Sequence, residues 1–223
     1  MSTADPIARL MAQLPDPPNP ARAIPLARIA QALIERYSRT GAGARSATAD
    51  LDAAITALDE SYGYLQFGTP ARGKVAVQLG HLLSVRHTVH LSGVRDRDTG
   101  IHVLEEGLGS RGIAPMMAAW AQLQLGTLYL ARVTELLRSQ DFLQKAIYGS
   151  GAPSGTADID RAVQLFKSIV DGKTGSPDLI RSAEALLEMA DVMQDVLRGL
   201  SARPISFDFG GLMRAMEKAQ PLS

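Results

Sequence analysis

Residues 48–55, TADLDAAI, decide the fold, because the same phrase returns at residues 156–163 as TADIDRAV. A looser copy, DRDTGI, occupies residues 96–101 between them. Recurrence of a phrase at this scale is typical of stacked-repeat architectures, in which each unit buries its apolar face against the next. The chain is therefore predicted to consist of repeated units.

A second phrase precedes each copy of the first. A large aliphatic residue is followed by a small one, and an arginine comes six residues later: Ile29-Ala30 with Arg36, Leu79-Gly80 with Arg86, and Leu125-Gly126 with Arg132. The apolar residues around these phrases follow a helical period, which predicts an all-α fold of antiparallel helical hairpins in a stack. We expect helices to cross closely at the small residues, because a larger side chain would clash there. The matching small residues on the second helices are Ala54, Gly100 and Ala162.

The repeated aspartates and arginines each allow more than one interpretation. Asp50 or Thr48, Asp96 or Asp98, and Asp158 are expected at helix starts, where a side-chain oxygen accepts an orphan N–H group. The three arginines either form a ladder that binds anions or pair with the aspartates across each hairpin. Pairing is favoured, since arginine makes geometrically specific contacts with carboxylates.

Composition narrows the class of protein. The 223 residues carry 23 basic and 23 acidic side chains, so the net charge of zero provides no overall field for nucleic acid or an anionic membrane. There is no cysteine, which excludes disulfides, thiolate zinc sites and a cysteine nucleophile. Neither a secretory signal nor a run of about 20 apolar residues is evident. We expect a soluble cytoplasmic protein that binds neither nucleic acid nor membrane.

Prolines and glycines divide the chain. Residues 1–19 form an N-terminal arm with a short helix and a proline-rich linker, and residues 20–223 form one helical-repeat domain. The approximate repeats are 20–66, 67–112, 113–174 and 175–220, with helices that start at Pro20, Pro70, Pro115 and Pro177. A short extra helix is predicted at 142–148, a loop at 149–155, and a last short helix after residues 207–213. Residues 62–67 are the one stretch that could be read as a strand.

The phrase Leu125-Gly126-Thr127-Leu128-Tyr129 resembles the core of a tetratricopeptide repeat. Residues 36–41, RYSRTG, together with the phrase at 50–55 resemble the long tetratricopeptide-like repeats of actinobacterial proteins, which often precede a caspase-like (CHAT) protease domain. The resemblance implies an α-solenoid. The repeat spacing of about 45 to 60 residues exceeds the usual 34. The protease activity does not carry over, because the chain has no cysteine.

Two local motifs suggest chemistry. Residues 68–74, GTPARGK, match the spacing of a phosphate-binding loop, but Val75 follows where Ser or Thr would hold Mg²⁺. The four histidines lie in the second repeat, and His87 and His90 would share a helix face. Without a tight ligand motif we expect no bound metal and no cofactor.

We therefore expect a non-catalytic interaction, scaffolding or regulatory module that binds a protein, a peptide or a second copy through the inner helices of its repeats. The candidate partner-binding residues are Gln31, Glu35, Lys74, His81, Trp120, Leu123 and Thr127. Trp120 is either an interaction hot spot or a core residue. The alternative is an all-helical enzyme or small-molecule-binding protein, with a pocket near the second repeat lined by His81, His87, His90 and Glu105.

Overall fold

The structure, a computed structural model, describes residues 5–41, 44–140 and 155–202. The chain divides into two compact units, unit 1 (Met1–Ala114) and unit 2 (Pro115–Ser223). In the described ranges every regular element is helical, which confirms the all-α class. The predicted helix at 142–148, the loop at 149–154 and the segment at 207–213 lie outside the described residues.

The helices follow one another along both units. Unit 1 contains α1 (Pro6–Ala12), a 3-10 turn (Pro20–Arg22), α2 (Ala23–Thr40), α3 (Arg45–Tyr64), α4 (Pro70–Val89) and α5 (Val94–Gly109). Unit 2 contains α6 (Pro115–Arg138), α7 (Thr156–Gly172) and α8 (Pro177–Ala202). None of the helices described here combines the length and the apolarity that a membrane crossing needs.

The helix starts predicted at Pro70, Pro115 and Pro177 are confirmed. Proline suits the first turn because its missing N–H group would have no helical partner there. α2 ends at Thr40, and Gly41 follows with a φ of 82°, a conformation that favours glycine.

The strand considered for residues 62–67 is wrong, because α3 continues through Tyr64. Leu51, Leu58 and Ser61 are buried at helical spacing, so the buried face of α3 continues up to the residue before this stretch. The Ser61 hydroxyl donates a hydrogen bond to the Ala23 carbonyl at 2.8 Å, which ties the end of α3 to the start of α2.

Neighbouring helices form antiparallel hairpins. α2 packs along α3, α4 along α5, and α6 along α7, and in each hairpin the end of the first helix contacts the start of the second. We call α2, α4 and α6 the first helices and α3, α5 and α7 the second helices. Within unit 1, α3 also packs against α4; within unit 2, α8 packs against α7 and α6.

Small residues bring the paired helices close together, as predicted. A Cβ atom on Gly80 would lie 2.4 Å from Leu104 Cγ, and one on Gly126 would lie 2.5 Å from Phe166 Cε1. The sequence reasoning missed a further contact at Gly107, where a Cβ would lie 2.7 Å from a Val77 methyl group. On the remaining helices the matching small residues are buried: Ala30, Ala54, Gly100 and Ala162.

Each unit has its own apolar cluster. In unit 1 the cluster draws buried side chains from α1 to α5, among them Ile7, Leu33, Leu58 and Leu79. In unit 2 a cluster joins Ala119, Ile169, Leu179 and Ala183 from α6, α7 and α8. The predicted repeat limits fall between helices, at the α3–α4, α5–α6 and α7–α8 connections. The single repeat domain and its solenoid arrangement stay predictions.

Candidate interaction surface

An arginine at the end of each first helix pairs with an aspartate near the start of the second helix. Guanidinium nitrogens lie 2.5–2.7 Å from both carboxylate oxygens in the pairs Arg36–Asp50, Arg86–Asp96 and Arg132–Asp158. These bidentate contacts confirm the predicted pairing across each hairpin. An anion ladder would need the guanidinium nitrogens that face the aspartates. Those nitrogens already bind a carboxylate of the same hairpin.

The prediction that these aspartates cap the second helices is wrong. The N-cap residues are Ala44, Gly93 and Gly155, and none of them makes a side-chain capping bond. Asp96 and Asp158 lie inside the first turn, where a negative charge still favours the helix dipole. Each helix begins two to five residues before its aspartate, so the carboxylate does not occupy the N-cap position and pairs with the arginine instead.

In two copies of the phrase, the second aspartate contacts the helix that follows the hairpin. Asp52 accepts a hydrogen bond from Arg86 Nη1 at 2.8 Å, so Arg86 joins α3 to α5. Asp160 accepts one from Gln194 Nε2 of α8 at 2.5 Å. Residues two apart point about 200° apart on a helix, so the two aspartates of one phrase face different neighbours. This spacing was the signal that the sequence reasoning did not use.

The pKa of Asp96 depends on its ion pair with Arg86. Burial opposes the charged carboxylate, but the hydrogen bonds and the positive charge of Arg86 outweigh it, so the pKa of Asp96 lies below its ordinary value. The hydrogen bond to Asp96 in turn raises the pKa of Arg86, which keeps the guanidinium charged. The pair therefore acts as a fixed link between helices, with no proton available near neutral pH.

Arg72 occupies the segment that resembles a phosphate-binding loop. Its Nε lies 2.6 Å from Glu106 Oε1, and its guanidinium carbon lies 3.8 Å from the centre of the Tyr62 ring. Its Nη1 donates to the carbonyls of Tyr62 and Leu65, at 3.1 and 2.9 Å, where α3 ends. Thr69 caps α4 through the N–H group of Arg72. The segment thus has a structural role in joining α3, α4 and α5.

Most of the predicted partner-binding residues occupy equivalent positions on the three first helices. The positions 12, 8, 5 and 1 residues before the paired arginine fall within a sector of about 60° around the helix axis. We call these positions the shared row. Its members are Ile24, Arg28, Gln31 and Glu35 on α2; Lys74, Gln78, His81 and Val85 on α4; and Trp120, Gln124, Thr127 and Ala131 on α6. All of the predicted partner-binding residues belong to this row except Leu123, which adjoins it.

Exposure of the shared row differs between helices. On α2 all four members are exposed, and Gln31 Nε2 donates to Glu35 Oε1 at 3.2 Å. On α4 Lys74 is exposed and His81 is half-buried. On α6 all four members are half-buried. The row is therefore most accessible in unit 1, where it combines cationic, anionic and amide groups.

Trp120 and Leu123 have packing roles in unit 2. Both are half-buried and contact the cluster that contains Ile169 and Leu179. Of the two interpretations of Trp120, packing against the core is therefore observed, and a role in partner binding stays a prediction. The Thr127 hydroxyl donates to the Leu123 carbonyl at 2.9 Å within the same helix.

The four residues of the alternative pocket have different surroundings. His87 Nδ1 lies 3.0 Å from the Ser92 carbonyl oxygen, whereas the ring of His90 meets Tyr37 edge-on. His81 and His87 are six residues apart, which places them about 120° apart around α4. Glu105 is exposed on α5. Over residues 5–41, 44–140 and 155–202, no three histidine, aspartate or glutamate side chains gather as a metal site requires. The pocket stays a prediction.

Comparison with family models, with curated proteins and with solved structures finds no match to this chain. The tetratricopeptide resemblance therefore rests on the repeated phrases and stays a prediction.

Proposed function

We propose that this chain is a non-catalytic interaction module that binds another polypeptide through the shared row of its first helices. The observation that carries the proposal is that all four row members of α2 are exposed, whereas Leu26, Ile29 and Leu33 of the same helix are buried in the unit 1 cluster. The arginine that sets the register of the row is used in packing each hairpin, whereas the exposed row on α2 is not needed for it. A tetratricopeptide-like stack would align such rows into one extended binding surface.

Within unit 1, the rows of α2 and α4 lie on helices whose C-terminal ends are adjacent. The Tyr37 hydroxyl, near the end of α2, lies 3.4 Å from Nε2 of His90, which caps α4. The C-terminal ends of α2 and α4 are thus adjacent. A polypeptide laid across both helices would meet Arg28, Glu35 and Lys74 as charged contacts and Gln31 as a donor and acceptor for its backbone.

The experiment compares two double variants of the full chain. Gln31→Ala with His81→Ala removes two members of the row, and Thr56→Ala with His102→Ala removes two exposed side chains of the second helices. Each immobilised variant is used to capture partners from native extract, and sedimentation velocity measures self-association. We expect the row variant to lose partners, or self-association, that the control retains, while circular dichroism shows equal helicity.

The outcomes separate the candidate functions. Recovery of the same partners by the row variant would show that the assignment to the row is wrong. If no polypeptide is captured and a small molecule co-purifies with the wild-type chain, the pocket near the second repeat replaces the proposal.

A further inference from the structure

α8 repeats in unit 2 a contact that α4 makes in unit 1. Arg86 of α4 donates a hydrogen bond to Asp52 of α3. Gln194 of α8 donates one to Asp160 of α7. Each contact joins residues 34 positions apart, and the two aspartates occupy the same place in the repeated phrase. Gln194 therefore corresponds to Arg86, and the positions of α8 can be matched to those of α4.

One side of α4 is covered by the next helix in the chain, whereas the matching side of α8 is exposed. We call it the hairpin side, which consists of the positions 13, 9, 6 and 2 residues before Arg86 or Gln194. The members are Gly73, Val77, Gly80 and Ser84 on α4, and Arg181, Ala185, Glu188 and Val192 on α8. On α4 all four are buried, and a Cβ atom on Gly80 would lie 2.4 Å from Leu104 Cγ of α5. On α8 all four are exposed.

An apolar stripe runs along the hairpin side of α8. Its members recur every three or four residues: Ala185, Met189, Val192 and Val196. Ala185 and Val192 are exposed, and the other two are half-buried. Glu188 stands where α4 has Gly80, so the close crossing of unit 1 has no counterpart at this position. The stripe is therefore the part of the hairpin side that gains most from being covered, because covering it removes apolar surface from water.

The sequence that follows α8 has the pattern of a helix that fits such a stripe. Residues 203–223 lie outside the described ranges, so only their sequence is considered. Three apolar positions would share one helix face: Leu212, Met216 and Ala219. Three charged positions would share the opposite face: Arg214, Glu217 and Lys218. A helix with this pattern places its apolar face on a partner and its charged face in water.

The same segment is near enough to reach the stripe. Val192 lies about 15 Å before the end of α8, because a helix rises 1.5 Å per residue. Residues 203–211 can extend over about 30 Å, which is enough for the chain to turn back along α8. In unit 1 the element that covers the hairpin side of α4 is likewise the one that follows it, α5.

We propose that the apolar stripe of α8 binds residues 212–219 of the same chain, and that this segment is the cap of α8. The segment takes the place on α8 that α5 has on α4. The cap withholds the stripe from other copies of the chain, since exposed apolar surface promotes association. The site lies outside the shared row and does not depend on the proposed function.

The test measures how fast a single cysteine in the full chain reacts with iodoacetamide, since the chain has no cysteine of its own. Val192→Cys places a thiol on the stripe, and Ser168→Cys places one on the exposed side of α7 as a control. Each is also combined with Leu212→Asp and Met216→Asp. If the segment covers the stripe nine-tenths of the time, these changes speed the reaction at position 192 about tenfold. We expect no change at position 168.

A matched variant of the segment separates its two faces. Arg214→Glu with Lys218→Glu changes the charged face and should leave the reaction rate at position 192 as it is. An equal gain from both segment variants, or no gain from either, would overturn the proposal. Should Leu212→Asp with Met216→Asp also speed the reaction at position 168, Met216→Ala replaces it with the same expectation. A wild-type dimer in sedimentation velocity that Leu212→Asp with Met216→Asp dissociates would also overturn it, because the segment would then bind α8 of a second copy.

Discussion

At the scale of single residues, the two helical glycines Gly126 and Gly63 have opposite surroundings. Gly126 faces Phe166 at a helix crossing, whereas a Cβ atom on Gly63 would have no atom within 4 Å. Glycine inside a helix is unfavourable unless the space is needed, because it loses more backbone entropy on folding than alanine does. Substitution of Gly126 therefore tests whether the helix crossing needs the space, and substitution of Gly63 tests the entropic cost of a helical glycine.

Substitution by alanine should change stability in opposite directions at these positions. Gly126→Ala is expected to lower the free energy of unfolding by roughly 1–3 kcal/mol, because Phe166 must shift, and Gly126→Leu by more. Gly63→Ala is expected to raise it by roughly 0.5–1 kcal/mol. Urea denaturation measures both. A Gly126→Ala chain as stable as the wild type would show that the close crossing is not required.

The ion pair between Arg72 and Glu106 makes stability depend on pH. The hydrogen bond from Arg72 is the main cause that lowers the pKa of Glu106 in the folded chain. Because the folded pKa lies below the unfolded one, the contribution is fully present above the unfolded pKa, about 4.3, and is lost as pH falls through the folded value. We expect the free energy of unfolding to fall as pH drops below about 5. Glu106→Gln should flatten this dependence, and Glu35→Gln on exposed α2 should not.

At the scale of whole helices, the second helices begin without side-chain caps. Ala44, the N-cap of α3, has φ −86° and ψ 139°, the extended conformation that a capping residue adopts. α4, by contrast, starts from Thr69, whose hydroxyl accepts from the Arg72 N–H group. The nearby aspartates pair with arginines of the first helices instead. The starts of the second helices are therefore not stabilised by a side-chain cap.

Introducing a cap should therefore stabilise α3. Ala44→Ser is expected to raise the free energy of unfolding by roughly 0.5–1 kcal/mol, since the serine oxygen can accept an orphan N–H group. Thr69→Ala, which removes an existing cap, should lower it by about 1 kcal/mol. Thermal or urea unfolding of both variants checks the pair. Loss of stability in Ala44→Ser would mean that the start of α3 cannot take a side-chain cap.

At the scale of the molecule, unit 1 has the features of an independent folding unit. The buried residues of its core cluster come from α1 to α5 in the part of the chain that the structure describes, and Arg86 links α3, α4 and α5 through two carboxylates. A stretch of 114 residues is also long enough for a domain with its own core.

Residues 1–114 produced alone should therefore fold. We expect a helical circular dichroism spectrum and one cooperative thermal transition, as small single domains show. The Arg86→Met variant of this fragment should unfold at a lower temperature, because Asp96 would be left half-buried without its partner. A gradual, non-cooperative melt of residues 1–114 would show that unit 1 needs the rest of the chain.

Much of the architecture was predictable because its signals are local. Proline at a first turn, small residues at equal spacing and apolar residues at helical period act within a few residues, so the helix starts at Pro70 and Pro115 and the close crossing at Gly126 followed from sequence. The pairing of Arg36 with Asp50 also followed, since both residues recur together in three hairpins. The same locality placed the candidate residues Gln31 and Thr127 on one face of their helices.

The tertiary structure decided how each recurring side chain is used. Asp50 does not cap α3, because the helix begins five residues earlier at Arg45, and the approach of α2 brings Arg36 into contact with its carboxylate instead. Asp5 contacts Arg36 because α1 packs on α2, and Trp120 packs against the unit 2 cluster, which includes residues of α8. Sequence alone determined which segments are helical and which faces are apolar. Contacts between distant residues depend on how those faces meet, and that geometry exists only in the folded chain.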